Sequence, residues 1–522
     1  MIPRRHRIAI GLVALLALLA TGGAITHGFV WDDRPLIVDN PMLRSADGVA
    51  SLFASGFWQT GDHHDRFRAF YRPFVSLTYA VDGALYRMAP AGFHLTNLLL
   101  HLACALLVYA LACRREPGVA AATLAAALFA VHPVHVESVA WISGRTDLLA
   151  TLLVLAAFLL DRAGGRRDPA AGARRGAAFL AFLLALLSKE VAATLPILIG
   201  LDRIFRPGRL RTRMVIAARA AAPYLAILVA YLGLRRAVLG PEAGALYTLD
   251  PLSWAATALF VLARDATLLL LPVRLDPHYP YPVRAGFVDP VVVLSAVIVA
   301  SIVIAAVRPA RRSRRAGFAF AWIGVTLMPV LRFGSFGDVL LADRFLYLPS
   351  VGLALLAARA ATTCAGSATI RFRRAALAAA AATLALFTAL AARQTRLWHD
   401  DLMLWSTLVG SSPASAMVHS NLGLALYGAG RYDQAIAEYK TALALLPEYA
   451  MAHNNLAAVL DRVGRQEEAS AHYAEALRLA PRQLEAQVNL ANLRARTGDG
   501  LALDRLRLLA MVNPKSARAR LA

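Results

Sequence analysis

Residues 4–33 read RRHRIAIGLVALLALLATGGAITHGFVWDD, a basic flank, an apolar run and a pair of carboxylates in immediate succession. The order is that of a membrane helix with its Arg-rich end on one side of a bilayer and an acidic segment on the other, because loops that stay in the cytoplasm retain Lys and Arg. Arg4, Arg5 and Arg7 with the run Ile8 to Ala20 and the small residues Thr21 to Ala24 also fit a cleaved signal peptide. An uncleaved anchor is expected, since many more spans follow and the acidic segment needs a membrane helix beside it.

Working outward, the same alternation runs through most of the 522 residues. With 58% hydrophobic residues, 17% charged and a mean hydropathy of +0.54, the chain is too apolar for a soluble protein of this size. Apolar runs near 8–27, 93–113, 118–133, 147–161, 176–188, 190–204, 214–234, 288–307, 317–331, 344–361 and 375–392 predict about eleven spans. Arg clusters mark every second gap, at Arg4/Arg5/Arg7, Arg114/Arg115, Arg162 to Arg175, Arg203 to Arg213, Arg308 to Arg315 and Arg371 to Arg374. These gaps are the cytoplasmic side. The others hold most of the acids, from Asp32 and Asp33 to Asp343. The run Trp254 to Leu271 lacks an Arg cluster on either flank and carries Arg264 and Asp265, so it is expected to lie at the interface or re-enter. An N-terminus inside and eleven spans predict that everything after Ala392 is extracytoplasmic. The net charge of +22 is thereby explained by topology, and nucleic acid is excluded as a partner. Cys104, Cys113 and Cys364 have neither a disulfide framework nor metal-ligand spacing.

From Ala416 onward Asn421, Asn455 and Asn489 recur at 34-residue intervals, as do Gly430, Gly464 and Gly498. That period predicts a tetratricopeptide α-solenoid. Leu422/Leu456/Leu490 and Ala442/Ala476/Ala510 supply packing positions, and Pro447 and Pro481 end the second helix of a unit, with Pro514 one position early. The third unit replaces Tyr439 and Tyr473 by Arg507, and Ala435 and Ala469 by Leu503, as expected of a cap. The three asparagines either bind an acceptor peptide backbone in a groove or support helix packing. The expected organisation is therefore all-α: a membrane domain over 1–395 whose first outer loop is 28–92, a linker or helix over 396–415, three repeats over 416–517 and a tail at 518–522.

The outer segments carry the chemistry. Asp32 and Asp33 are adjacent carboxylates at a membrane edge, suited to a general base and equally to capping. Tyr71-Arg72-Pro73 precedes Phe74, Leu77, Val81 and Leu85, the spacing of an amphipathic helix on the membrane surface. Pro133 can start a short helix whose amides receive an anion. His132, His135 and Glu137 have ligand chemistry but no metal spacing, so a divalent metal has weak support, no metal site is assigned, and the three are candidates for substrate binding. Arg145 with Asp147, Lys189 with Glu190, and Asp343-Arg344 ahead of Tyr347-Leu348-Pro349-Ser350 put further cations at headgroup depth, where they can clamp a phosphate, form ion pairs or snorkel.

In sequence order Phe29-Val30-Trp31-Asp32-Asp33, Tyr71-Arg72-Pro73, Gly92-Phe93-His94 with Asn97 and His101, Leu128 to Pro133 with His135 and Glu137, Gly144-Arg145-Thr146-Asp147, Ser188-Lys189-Glu190 and Arg344 to Ser350 resemble the transmembrane and tetratricopeptide repeat-containing protein O-mannosyltransferases and their bacterial relatives. The resemblance implies a GT-C glycosyltransferase that moves a sugar, such as mannose, from a polyprenyl-phosphate carrier to Ser or Thr hydroxyls of extracytoplasmic proteins by inverting chemistry. It implies a base at Asp32 or Asp33 and carrier-phosphate cations at Arg72, Arg145, Lys189 and Arg344. The Ala/Arg-rich composition points to a bacterial inner membrane and an undecaprenyl carrier, and three repeats are fewer than eukaryotic members have. Two other functions fit the same residues: a non-enzymatic scaffold gathering envelope proteins, and a transferase acting on an envelope lipid or polysaccharide.

Overall fold

A computed structural model describes residues 3–58, 70–161, 170–240, 249–279, 281–331, 340–367 and 369–512. Pro514 and the tail 518–522 lie outside them. The described residues contain helices and no strand, and the chain divides into two compact units that part after His399.

The first unit is the apolar body. Its main helices are α1 (Arg4–Thr21), α2 (Pro73–Tyr86), α3 (Pro90–Arg115), α4 (Val119–Val131), α5 (Arg145–Asp161), α6 (Ala171–Leu186), α7 (Leu195–Ile204), α8 (Leu210–Leu239), α9 (Pro251–Leu270), α10 (Pro290–Arg312), α11 (Arg314–Leu327), α12 (Ser350–Ser367) and α13 (Ile370–Thr395). Among the described residues seven helices are long and apolar enough to cross a membrane, and an eighth span is available if α4 and the short helix after Pro133, bent by 52°, count as one. The runs expected near 176–188, 190–204 and 317–331 form the shorter helices α6, α7 and α11, of 16, 10 and 14 residues. Shorter helices are tolerated where neighbours satisfy the backbone beyond their ends. Val13, Val108, Ala125, Phe158, Phe182 and Trp322 belong to one continuous buried core that joins α1, α3, α4, α5, α6 and α11.

α9 has the length to span, but its bonds run another way. At its start the Trp254 indole donates to the Leu331 carbonyl at 2.9 Å, and at its end the Leu269 carbonyl accepts from His132 at 3.0 Å. Leu331 follows α11 and His132 follows α4, helices that both set out from Arg-rich segments. Both ends of α9 are thus fixed to the Arg-poor end of the body, the arrangement of a helix lying across it. α2 turns polar groups inward: Ser76, Tyr79 and Asp82 are buried, while of its apolar stripe Phe74 packs against the core and Val81 and Leu85 are exposed.

The second unit begins with α14 (Asp401–Ser411), capped by the Asp400 carboxylate and packed against the first repeat through Leu404, Trp405 and Leu408. The repeats follow as helix pairs α15 (Ala416–Gly428) with α16 (Tyr432–Leu445), α17 (Ala450–Arg462) with α18 (Gln466–Leu479), and α19 (Leu484–Arg496) with α20 (Ala502–Val512). Gly430, Gly464 and Gly498 turn each pair with φ of 73°, 84° and 93°, a region costly for any residue with a Cβ. Tyr439 and Tyr473 fill the interior of their pairs, whereas Leu503 and Arg507 of the last helix are exposed.

Candidate active site

Every polar motif of the first unit lies where a helix has left its Arg-rich end behind, and the fold brings them together there. The turn after α1 comes first. Trp31 has φ 54°, left-handed backbone for a bulky residue, which costs about 1–3 kcal/mol and persists only where the surroundings impose it. Its indole stacks on Trp141, centroids 5.3 Å apart. Asp33 is fully buried: Oδ2 accepts from the Val30 amide at 3.0 Å, and Oδ1 accepts from the Ser143 amide at 2.8 Å and the Ser143 hydroxyl at 2.6 Å. Asp32 is half-buried, and its charge acts on the Arg344 guanidinium. The two carboxylates thus differ in exposure: Asp33 is closed in by Val30 and Ser143, and Asp32 is half-buried.

Three cation–carboxylate pairs surround this turn. Arg72 meets Glu190 at 2.7 Å with its guanidinium 4.4 Å from the Phe70 ring centroid; Lys189 meets Asp147 at 2.5 Å; Arg344 meets Glu137. The Arg344 amide also donates to Glu137, at 2.9 Å. Arg72 and Arg344 both act electrostatically on Lys189, so the pairs form one field. Burial pulls the Lys189 ammonium below the usual lysine range, with Asp147 opposing. Burial pushes the Glu190 carboxyl up, but Arg72 outweighs it and the net shift is down. Asp343, beside Arg344, is raised well above the ordinary carboxylate range by burial and by the neighbouring Glu137 charge, and accepts from the Tyr279 hydroxyl at 2.6 Å.

Arg145 has a different setting. It is fully enclosed, donates to Asn97 at 2.7 Å and to the Phe93 carbonyl at 3.0 Å, and pairs with Asp82 at 2.6 Å. These bonds tie α5 to α2 and α3. Gly144 permits the approach, since a Cβ there would stand 2.7 Å from the Glu137 carbonyl oxygen. His132 bonds to α9 as described, and His135 donates from Nδ1 to the Phe129 carbonyl at 2.7 Å with Nε2 2.8 Å from the Ser350 hydroxyl. Both rings are buried ties between helices, and only Glu137 of that trio joins the charged cluster. Among the described residues no three His, Cys, Asp or Glu side chains come together so as to hold a metal ion.

Ser143, Asp82, Trp141 and Tyr279 were not singled out from the sequence. Ser143 abuts the Gly144-Arg145 motif, and Asp82 follows Tyr79 by three residues on the face opposite the apolar stripe of α2, so both had a local signal; Tyr279 and Trp141 had none. In the repeats Asn421, Asn455 and Asn489 are half-buried. The Asn421 amide donates to the Met417 sulfur at 2.8 Å, and Asn489 donates to Asn454 of the preceding unit at 3.2 Å, with Asn454 in turn donating to Asn455 at 3.2 Å. Asn489 also lines a cavity of about 510 Å³ with Asp461, Tyr473, Asn492 and Arg496.

Body and site define a multi-pass helical membrane protein with a charged, aromatic-framed site at one end, followed by a tetratricopeptide array. Residues 414–482 match the tetratricopeptide repeat family. The particular likeness is to the protein O-mannosyl-transferases, as the motifs imply. F38B6.6 of Caenorhabditis elegans is 29% identical over 466 residues, covering 85% of this chain and 63% of that protein. Tmtc3 of Drosophila melanogaster is 25% identical over 516 residues, covering 85% and 56%. Human TMTC3 is 36% identical over 132 residues, 25% of this chain and 14% of that one. The chain therefore spans about three fifths of the length of the first two of these relatives. Among solved structures, ArnT from Cupriavidus metallidurans bound to undecaprenyl phosphate aligns with a TM-score of 0.43 and 16% identity over 90% of this chain and 80% of that one.

Proposed function

We propose that this chain is an inverting, GT-C type glycosyltransferase that takes a sugar from a polyprenyl-phosphate carrier and attaches it to Ser or Thr hydroxyls of extracytoplasmic proteins. The observation that supports this reading is the set of three cation–carboxylate pairs Arg72–Glu190, Lys189–Asp147 and Arg344–Glu137, with the charge of Asp32 felt at Arg344 and Asp33 already closed by Ser143 and Val30. The naming of the relatives as O-mannosyl-transferases supports the same reading, with mannose as the sugar to test first.

In this reading Asp32 accepts the proton of the acceptor hydroxyl as its oxygen attacks the anomeric carbon on the face opposite the phosphate. The carbon–oxygen bond to the phosphate breaks with its electron pair on the departing phosphate, and configuration inverts. Arg344, Lys189 and Arg72 stabilise the charge that grows on that group. Arg145 acts on the frame, holding α5, α2 and α3 in register. Glu137, Asp147 and Glu190 keep the cations paired while no carrier is bound. The repeats present the acceptor, with Asn489 and its cavity as the peptide-binding position. The charge pattern of the sequence supports a cytoplasmic N-terminus and extracytoplasmic repeats, and its Ala/Arg-rich composition a bacterial inner membrane.

The test is transfer by the reconstituted protein from polyprenyl-phosphate mannose to a Ser/Thr peptide. Asp32→Asn is expected to lose activity by about 10²–10⁴-fold, the usual worth of a general base. Full activity in that variant would remove the base, and transfer to lipid but never to peptide would reassign the acceptor.

A further inference from the structure

Trp31, Trp141 and Trp398 form a single column of indoles. Trp31 stacks on Trp141 with an interplanar angle of 17°, and Trp141 stacks on Trp398 at 5.5 Å and 18°. Trp398 closes the column from just beyond α13, fully buried. A second link runs beside it, since the Gly28 amide donates to the carbonyl of His399 at 3.0 Å and the Gly28 carbonyl is bonded by His94 at 3.2 Å. The chain that follows α13 therefore holds the segment Gly28 to Trp31 directly at Gly28, by backbone, and indirectly at Trp31, through the Trp141 ring that stacks on both Trp31 and Trp398.

That segment is where the backbone is strained. Trp31 stands at φ 54° one residue before Asp32, and relaxing it to an ordinary conformation would redirect the Asp32 carboxylate. Asp33 pins the far side of the turn through Ser143, two residues from Trp141, so a displaced Trp141 would disturb both sides. Arg344 lies over the same ring, its guanidinium carbon 5.4 Å from the Trp141 centroid. Base and phosphate-binding cation thus share one aromatic support, whose outer layer is Trp398. Among the described residues the indole nitrogens of Trp141 and Trp398 have no hydrogen-bond partner, so the column is held by its faces and not by its polar edges.

We infer that Trp398 is a positioning residue for the transfer reaction, holding the Trp31–Asp32 turn and Arg344 in register through Trp141. The inference rests on the assignment of Asp32 as the base. It makes the 3₁₀ turn Arg396–Trp398, which follows the last helix of the membrane body, part of the catalytic frame.

The experiment uses the full-length protein in lipid nanodiscs, polyprenyl-phosphate mannose and a Ser/Thr peptide, comparing Trp398→Phe, Trp398→Leu and Trp398→Ala with Asp32→Asn. A displacement of about an ångström at a reacting group costs on the order of 10²-fold. Trp398→Leu and Trp398→Ala are expected to lower kcat by roughly 10–100-fold, with KM for the carrier changed less than about 3-fold. Trp398→Phe, which keeps an aromatic face and lacks the unpartnered N–H, is expected to recover most of the loss. A merely structural role would lower the folded fraction and leave kcat per folded molecule unchanged. If Trp398→Ala does not fold, Trp398→Leu carries the comparison. Wild-type kcat in Trp398→Leu, or Phe no better than Leu, overturns the inference while a dead Asp32→Asn leaves the base assignment standing. An active Asp32→Asn overturns the base assignment and this inference with it, and transfer lost in Trp398→Leu would not rescue either.

Discussion

Asp32 and Asp33 are neighbours of the same chemistry, and the structure assigns them opposite sensitivities. Replacing Asp33 by Asn keeps one carbonyl oxygen to accept from the Ser143 amide and hydroxyl, now 2.8 and 2.6 Å from Oδ1. The amide nitrogen then takes the place of Oδ2 and faces the Val30 N–H, donor to donor, where Oδ2 accepts at 3.0 Å. Hydrogen bonds to a charged group are worth about 1.5–3 kcal/mol, and a buried donor left without a partner costs about 1–3 kcal/mol. One bond is lost and two are weakened by removal of the charge, so Asp33→Asn should destabilise the body by roughly 2–4 kcal/mol. Asp32→Asn leaves the bonds of Asp33 to Val30 and Ser143 in place and should cost less thermal stability in detergent than Asp33→Asn while abolishing transfer. The assay is a pair of measurements on each purified variant, the unfolding midpoint and the single-turnover rate. The reasoning is refuted if Asp33→Asn unfolds like the parent and is inactive while Asp32→Asn retains turnover, because the roles would then be exchanged.

Asp343 gives a pH signature. Its folded value lies above the ordinary 3.8, so the folded state holds a proton that the unfolded chain has released, and stability falls as pH rises through the folded value. Asp343→Asn, which mimics the protonated acid, should raise the midpoint by an amount that is small in acid and grows toward neutral and alkaline pH; a gain largest in acid would contradict the assignment. Asp147→Asn leaves the Lys189 ammonium buried without its carboxylate, a loss of about 3–5 kcal/mol for a broken buried pair, visible as a lowered midpoint and weakened binding of a polyprenyl phosphate. Gly464→Ala places a Cβ at φ 84° and should cost the repeat unit about 1 kcal/mol, read by denaturant unfolding of the full chain.

The helical body and the repeat array were legible because both rest on periodic signals: the apolar runs with Arg at alternate ends, and the 34-residue recurrence of Asn and Gly. The placing of Asp32, Glu137, Lys189 and Arg344 at one end of the body followed from the same signal, since all four lie in the segments that lack Arg clusters. What one sequence could not supply was pairing. Nothing near Arg145 in the chain indicates that Asn97 and Asp82 consume its donors, and nothing near Asp33 indicates Ser143, 110 positions away. His132 and His135 have the chemistry of ligands, and their use as ties to Leu269 and Ser350 depends on contacts across 137 and 215 positions. Span lengths were also harder to read, because the run 190–204, apolar through most of its length, begins with a 3₁₀ turn at Glu190–Thr194 before α7.

The charge balance of the site constrains how a carrier can bind. Arg72, Lys189 and Arg344 are each matched by a carboxylate, so the three pairs are neutral together. A phosphate entering such a cluster gains little from cations already neutralised, unless each cation turns part of its hydrogen-bonding capacity toward the newcomer. Arg72 and Arg344 can do so, since a guanidinium has five donors and a single carboxylate does not occupy them all. Lys189 has three donors on a flexible stem, and burial already presses it toward the neutral amine. An arriving phosphate would oppose that pressure and hold the ammonium charged. Carrier binding and protonation of Lys189 are then linked with the same sign: the loaded site raises the lysine's proton affinity, and carrier affinity falls as pH rises through the lysine's value in the empty protein. Lys189→Arg keeps the charge at all accessible pH and should flatten that alkaline limb, a result that distinguishes a phosphate-responsive lysine from one serving Asp147 alone.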